Sequence, residues 1–240
     1  MLLLSHIGKD GFRLRGVEMS RIDAFSDVVF GFALTLIVVS LQVPRTFQEM
    51  LNSVRGFVPF SICFMFLILL WHEHYRFFRR YGLQDALTVA INALLLFTLL
   101  FYLYPLKFLF TMLAAEVFNL PGLDPGIQSI SELRQLMVLY GAGFSAIYGI
   151  FGLLYANAWR QRRALGLNAL ECTITLGAIV SEAGMVVVGL IACLFALVSP
   201  PHLIGYTGFI YFASFPWRRF IKIVWGRKAR HLRDFRLPSH

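Results

Sequence analysis

Charged side chains are scarce in this chain, so those that interrupt apolar runs carry the most information. Charged residues make up 15% of the 240, against 58% hydrophobic. Asp27 sits about six residues, roughly 9 Å, inside an apolar run that opens with Arg21-x3-Phe25-Ser26-Asp27. A carboxylate at that depth is costly, and it marks an ion path, a proton relay or a buried contact between helices. Asp23, Ser26 and Asp27 share one helical arc by their three- and four-residue spacing. Arg21, Ser26 and Asp27 could therefore form a polar clasp between helices, or act on a transported species. Glu182, about ten residues into a later run, poses the same choice: an ion pair with a neighbouring helix, or proton coupling together with Asp27 and His74. His72-Glu73-His74 is not a metal pattern, because residues two apart point to different sides of a helix and the His-Glu-x-x-His spacing is absent. Neither a Gly-x-Ser-x-Gly elbow nor a Walker sequence occurs. No metal, no cofactor and no enzymatic activity are expected.

The elements that must hold these residues follow from composition. A mean hydropathy of +0.69 with so few charges is incompatible with a soluble domain, where about 25% of residues are charged, and with disorder. The reading is an all-α, polytopic membrane protein. Six segments reach the roughly 20 apolar residues that a span needs: 22–43, 56–78, 86–110, 135–157, 173–198 and 203–224. Pro44-Arg45, Arg79-Arg80-Tyr81-Gly82, the Pro/Gly cluster 119–126, Arg160 to Arg163 and Ser199-Pro200-Pro201 separate them. Eighteen Lys and Arg lie before the first segment or at and beyond the ends of the second, fourth and sixth; four lie on the other side. The positive-inside rule then places both termini in the cytoplasm and favours an even number of spans. The layout is an N-terminal segment 1–20, a membrane body 21–224 and a basic tail 225–240. In a bacterium the membrane would be the inner, plasma membrane.

The net charge of +9 orients the helices rather than implying nucleic acid, since no nucleic-acid-binding module is recognisable. Cys63, Cys172 and Cys193 are isolated and odd in number, so they read as small apolar residues rather than a disulfide framework. The opening Met-Leu-Leu-Leu run is too short for a signal-peptide core. The loop before the fourth segment, with Glu116, Asp124 and Glu132, is either simply solvated or a weak cation-attracting vestibule. The basic, aromatic stretch from Trp217 is expected to lie along anionic lipid headgroups. Gly141, Gly143, Ser145, Ala146 and Gly149 give the fourth segment a close-packing face.

With alternating spans, the start of helix one, the end of helix two and the start of helix three share one depth. Arg21, Ser26, Asp27, Trp71, His74 and Asn92 then lie at one level, with Asp85 nearby. Polar groups in hydrocarbon must find partners, so a shared hydrogen-bond network is expected. Further along helix one, Phe32, Thr35, Leu36 and Val39 form one face. That stripe packs or faces lipid, unless the helix lines a symmetry axis. In that case its copies make stacked apolar rings and one hydroxyl ring, a geometry that gates ions by dewetting.

The motif Arg21-x3-Phe25-Ser26-Asp27, followed by the run through Phe32 and Thr35, resembles the transmembrane protein 175 family of potassium channels. Trp71, His74 and Phe78 match the family's Trp-x-x-His ending of helix two. Asn92 and Pro105 match positions early and late in helix three. The resemblance is dense over about residues 19–105 and thin afterwards. It implies a homotetramer of six-helix subunits in the bilayer, with helix one lining a potassium-preferring pore that lacks a carbonyl filter. By resemblance Phe32 is the constriction residue, Thr35 the threonine that meets potassium, and Leu36 and Val39 the next apolar positions. Arg21, Phe25, Ser26, Asp27, Trp71, His74 and Asn92 would hold the helix in place. Two positions depart from the family: Phe32 stands where Ile or Leu is usual, and Tyr75 where a second His is common. Four phenyl rings would close the axis more tightly, or turn aside and widen it.

Overall fold

Each helix begins and ends where its local chemistry dictates. In the computed structural model, which describes residues 7–8, 10–39, 45–118, 126–127 and 129–234, α1 runs Arg21–Val39. Ser20 and Asp23 cap it reciprocally: the Asp23 N–H donates to Ser20 Oγ at 3.2 Å and the Ser20 N–H to Asp23 Oδ2 at 3.0 Å. A short amphipathic α2 (Phe47–Arg55) leads into α3 (Phe57–Tyr81), which stops at Gly82 in the left-handed region (φ 59°), its N–H returning to Phe78 O. Helices α4 (Ala86–Phe118), α5 (Ile130–Arg160) and α6 (Ala169–Val198) follow. Ser129 caps α5, and Asn168 with Glu171 makes a complete capping box on α6.

Four helical stretches among the described residues are long and apolar enough to cross a membrane: Phe47–Tyr81, Ala86–Ala115, Ile130–Arg160 and Ala169–Val198. The protein is an integral membrane protein of all-helical fold. The stretch expected as one span over 203–224 has a different form. Pro200 and Pro201 break the chain, and 3-10 turns (Pro201–Tyr206, Tyr211–Ala213) flank a four-residue α7 (Thr207–Ile210). The basic α8 (Ser214–Asp234) then runs through residue 224, where the membrane body was expected to end.

Close approach is built from small residues. A Cβ on Gly141 of α5 would lie 2.8 Å from Gly189 O and collide with Cys193 Sγ. A Cβ on Gly189 of α6 would collide with Ser145 Oγ. Gly143 seats the Tyr102 ring of α4, whose hydroxyl donates to Tyr140 O at 2.8 Å. Of the close-packing face expected on 141–149, Gly141 and Ser145 form the α5–α6 crossing, while Gly143 packs against α4. Arg134 closes the far end of α6 by donating to Ala196 O and Ser199 O, both at 3.0 Å.

The segment before α1 folds back across the helix ends. Phe12 is fully buried, edge-on to Tyr81, with the Arg15 and Arg80 guanidiniums over its ring. Arg13 and Arg15 both grip the fully buried Glu171, at 3.1 and 2.8 Å. Nothing in the composition of residues 7–20 announced this anchor.

Candidate functional site

Helix α1 has two faces of opposite character. The inward face, Ser26, Phe30, Ala33 and Ile37, is buried at helical spacing. Its polar start is tied to two neighbouring helices. Trp71 Nε1 of α3 donates to Asp27 Oδ1 at 2.7 Å. His74 of α3 and Asn92 of α4, both buried, meet at 2.8 Å through Nε2 and Oδ1. Asn92 Nδ2 then donates to Ser26 Oγ at 2.9 Å, and Ser26 donates to Ile22 O at 2.8 Å. Because Asn92 Oδ1 can only accept, the His74 proton sits on Nε2. Phe30 and Phe78 close over the imidazole, with ring centroids 5.5 and 4.6 Å away. The result is a chain of satisfied polar contacts that fixes the rotation of α1 about its own axis.

Of the residues expected in that network, the structure joins Ser26, Asp27, Trp71, His74 and Asn92. Arg21 is exposed and makes no hydrogen bond or ion pair among the described residues. Phe25 is 61% exposed and sits on the outer face instead. Glu182 belongs to a different cluster: it is buried on α6 and faces Arg218 at 3.6 Å, with no hydrogen bond or ion pair to Asp27 or His74.

The outward face of α1 carries Arg21, Ala24, Phe25, Val28, Gly31, Phe32 and Thr35, all exposed in the single chain. Phe32 is 55% exposed and Val28 70%. The Thr35 hydroxyl donates to Gly31 O at 3.0 Å, which turns its lone pairs away from the helix. Leu36 lies at the edge of this face, half-buried and packed against the core. Val39 ends the helix, and its side chain lies outside the described residues.

Two further polar clusters draw on partners at α5 that the sequence did not point to. Glu73, buried beside His74, accepts from Tyr155 Oη at 2.6 Å and from Arg76 at 2.5 Å. Asp85 accepts from Thr88 Oγ1 (2.5 Å), Gln161 Nε2 (3.0 Å) and Asn157 Nδ2 (3.4 Å), linking the start of α4 to the end of α5. The Asp85-x-x-Thr88 spacing is a legible cap; Tyr155 had no sequence signal.

The fold and the seam define a polytopic helical membrane protein whose first helix is pinned on one side and bare on the other. Residues 21–102, the stretch holding the seam and the bare face, match the family model described as endosomal/lysosomal potassium channel TMEM175. A potassium channel of Marivirga tractuosa is 40% identical over 92% of this chain and 93% of its own length. A potassium channel of Chamaesiphon minutus is 28% identical over 63% of this chain and 71% of its own. Among solved structures, a threonine-to-alanine variant of the potassium channel MtTMEM175, bound to a nanobody–MBP fusion, superposes with a TM-score of 0.80 at 36% identity, covering 94% of this chain and 99% of that one. The chain belongs to the TMEM175 family.

Proposed function

We propose that the protein is a potassium-preferring cation channel in which α1 from several copies of the chain lines the pore. The observation that carries this reading is the outward face of α1. Beyond Arg21 at its start it is a bare apolar stripe with one hydroxyl, Thr35, whose proton is spent on its own helix, while the opposite face is locked by Ser26 and Asp27. Around an axis, Phe32 would form the narrowest ring. Thr35 would form a ring of oxygens that partly replaces the water around potassium. Leu36 and Val39 would follow as apolar rings, and wetting of the apolar rings would govern conduction. The seam of Ser26, Asp27, Trp71, His74 and Asn92 would hold each helix so that Phe32 and Thr35 face the axis, with Arg21 and Phe25 at the mouth or between subunits. The assembly is a homotetramer of subunits with six membrane segments and cytoplasmic termini, in the plasma membrane, working without a cofactor. Near-full-length similarity to named potassium channels supports the ion.

The test is flux from potassium-loaded liposomes containing the purified protein. Protein-dependent potassium efflux, larger than sodium efflux and needing no added substrate, is expected. A verified folded oligomer that stays silent even as Phe32→Ala would overturn the pore. Proton uptake obligatorily coupled to substrate would favour a transporter instead.

A further inference from the structure

A second site lies away from α1, in a cleft of about 940 Å³ between the end of α3, the first half of α6 and the basic α8. Helix α8 is seated firmly enough to build a wall. The Trp217 indole fills the space a Cβ on Gly184 would need and donates from Nε1 to Ser181 O at 3.1 Å. Trp225 lies over Gly177, where a Cβ would come within 2.9 Å of its ring. Sequence spacing puts Gly177, Ser181 and Gly184 on one stripe of α6, so two indoles and one hydrogen bond fix the register of α8.

Five cations line the cleft. Arg80 pairs with Asp10 and Arg76 with Glu73, and Arg218 faces Glu182 at 3.6 Å, beyond hydrogen-bond reach. Arg219 and Lys222 have no acidic partner among the described residues. Three buried polar atoms also lack a hydrogen bond: the donors Arg76 Nε and Arg218 Nε, and the acceptor Glu182 Oε2 on a side chain only 3% exposed. Orphaned buried groups of this kind are costly and call for a partner. Two guanidinium donors and two unmatched cations ask for an anion with several acceptor oxygens, which a phosphate supplies. The orphaned carboxylate oxygen asks for a donor on the same ligand, which a bare anion cannot give. Ile223, 43% exposed, adds an apolar flank.

We infer that this cleft binds a phosphate ester carrying its own hydroxyl or ammonium donors: the glycerol phosphate of a phospholipid headgroup, or the same group free in solution. The phosphate sits between Arg76, Arg218, Arg219 and Lys222, and the ligand's donor meets Glu182.

Thermal unfolding of the full-length protein in detergent tests this with three probes: phosphatidylglycerol and phosphatidylcholine in mixed micelles, and soluble glycerol phosphate. Phosphatidylglycerol should raise the midpoint above that in phosphatidylcholine. Arg219→Gln with Lys222→Gln should lose at least half of that shift, and Lys222→Gln alone a smaller part. Both residues are exposed, so the fold should tolerate their loss. Arg163→Gln with Arg227→Gln, matched in charge and outside the cleft, should keep the shift. A rise with glycerol phosphate alone identifies the free solute as the source; a rise with phosphatidylglycerol alone identifies the lipid. No rise with either, an equal rise with phosphatidylcholine, or equal losses in the two double variants overturns the site.

Discussion

Thr35 and Asn92 show how one hydrogen bond decides what a residue is free to do. Thr35 uses its proton on Gly31 O, so only its lone pairs remain for a passing cation. Thr35→Ala keeps the helix and removes those oxygens; reversal potentials between potassium and sodium should shift toward non-selectivity, and an unchanged value would remove Thr35 from the proposed mechanism. Asn92 is spent on both sides, between His74 and Ser26. Asn92→Ala leaves the buried His74 Nε2 without an acceptor and should cost about 1–3 kcal/mol, read as a lower unfolding midpoint; a midpoint equal to wild type would mean water replaces the amide. Most of this seam was legible, because depth in the membrane follows from counting residues. Arg21 was misplaced because depth is not rotation. It precedes Ser26 by five residues, which turns the two about 140° apart on a helix. It shares instead the stripe of Phe25 and Val28, four and seven residues on.

Helices α5 and α6 show the same logic one scale up. Their crossing is set by positions where even a methyl group has no room. At Gly141 the obstructing atoms are Cys193 Sγ and the Gly189 backbone oxygen, which cannot swing aside. Gly141→Ala should cost about 1–3 kcal/mol through overpacking. Gly149, on the same helix, has only a Val186 methyl group at 3.7 Å, an ordinary contact. Gly149→Ala should be neutral, or stabilising by about 0.5–1 kcal/mol from lost chain entropy. Unfolding the two variants side by side in one detergent checks the contrast; similar midpoints would mean the crossing relaxes. The small residues were visible in the sequence, but which of them meet the partner helix was not, because that depends on the register of α6. The stretch 203–224 departs for another reason. Its apolar content is that of a span, and the chain is helical from Pro201 to Asp234, but residues 201–213 pass through 3-10, α and 3-10 turns before α8. Hydropathy counts residues and does not register such changes of helical geometry.

At the scale of the molecule, three polar joints tie the bundle together at the ends of its helices: the α1–α3–α4 seam, the Arg13 and Arg15 grip on Glu171, and Asp85 between α4 and α5. The first was expected from topology. The others join residues more than seventy apart in sequence, with no pattern linking them until the chain folds. Asp85 lies outside the apolar spans, so its titration reports on the whole fold in solution. Burial alone would raise its pKa, but hydrogen bonds from Thr88, Gln161 and Asn157 outweigh that and hold it at about 2, below the ordinary 3.8. A depressed carboxylate stabilises the fold above its unfolded pKa, and that contribution fades as pH falls through the folded value. The window is therefore about pH 4 down to about pH 2. Asp85→Asn keeps the size of the side chain and removes the titration. The difference in unfolding midpoint between wild type and Asp85→Asn should be constant near neutral pH and shrink across that window. Thr88, Asn157 and Gln161 do not titrate there, so the change in this difference belongs to Asp85. A difference that stays flat from pH 7 to pH 2 would show that the carboxylate gains nothing from its three partners, and that the joint between α4 and α5 is held by packing alone.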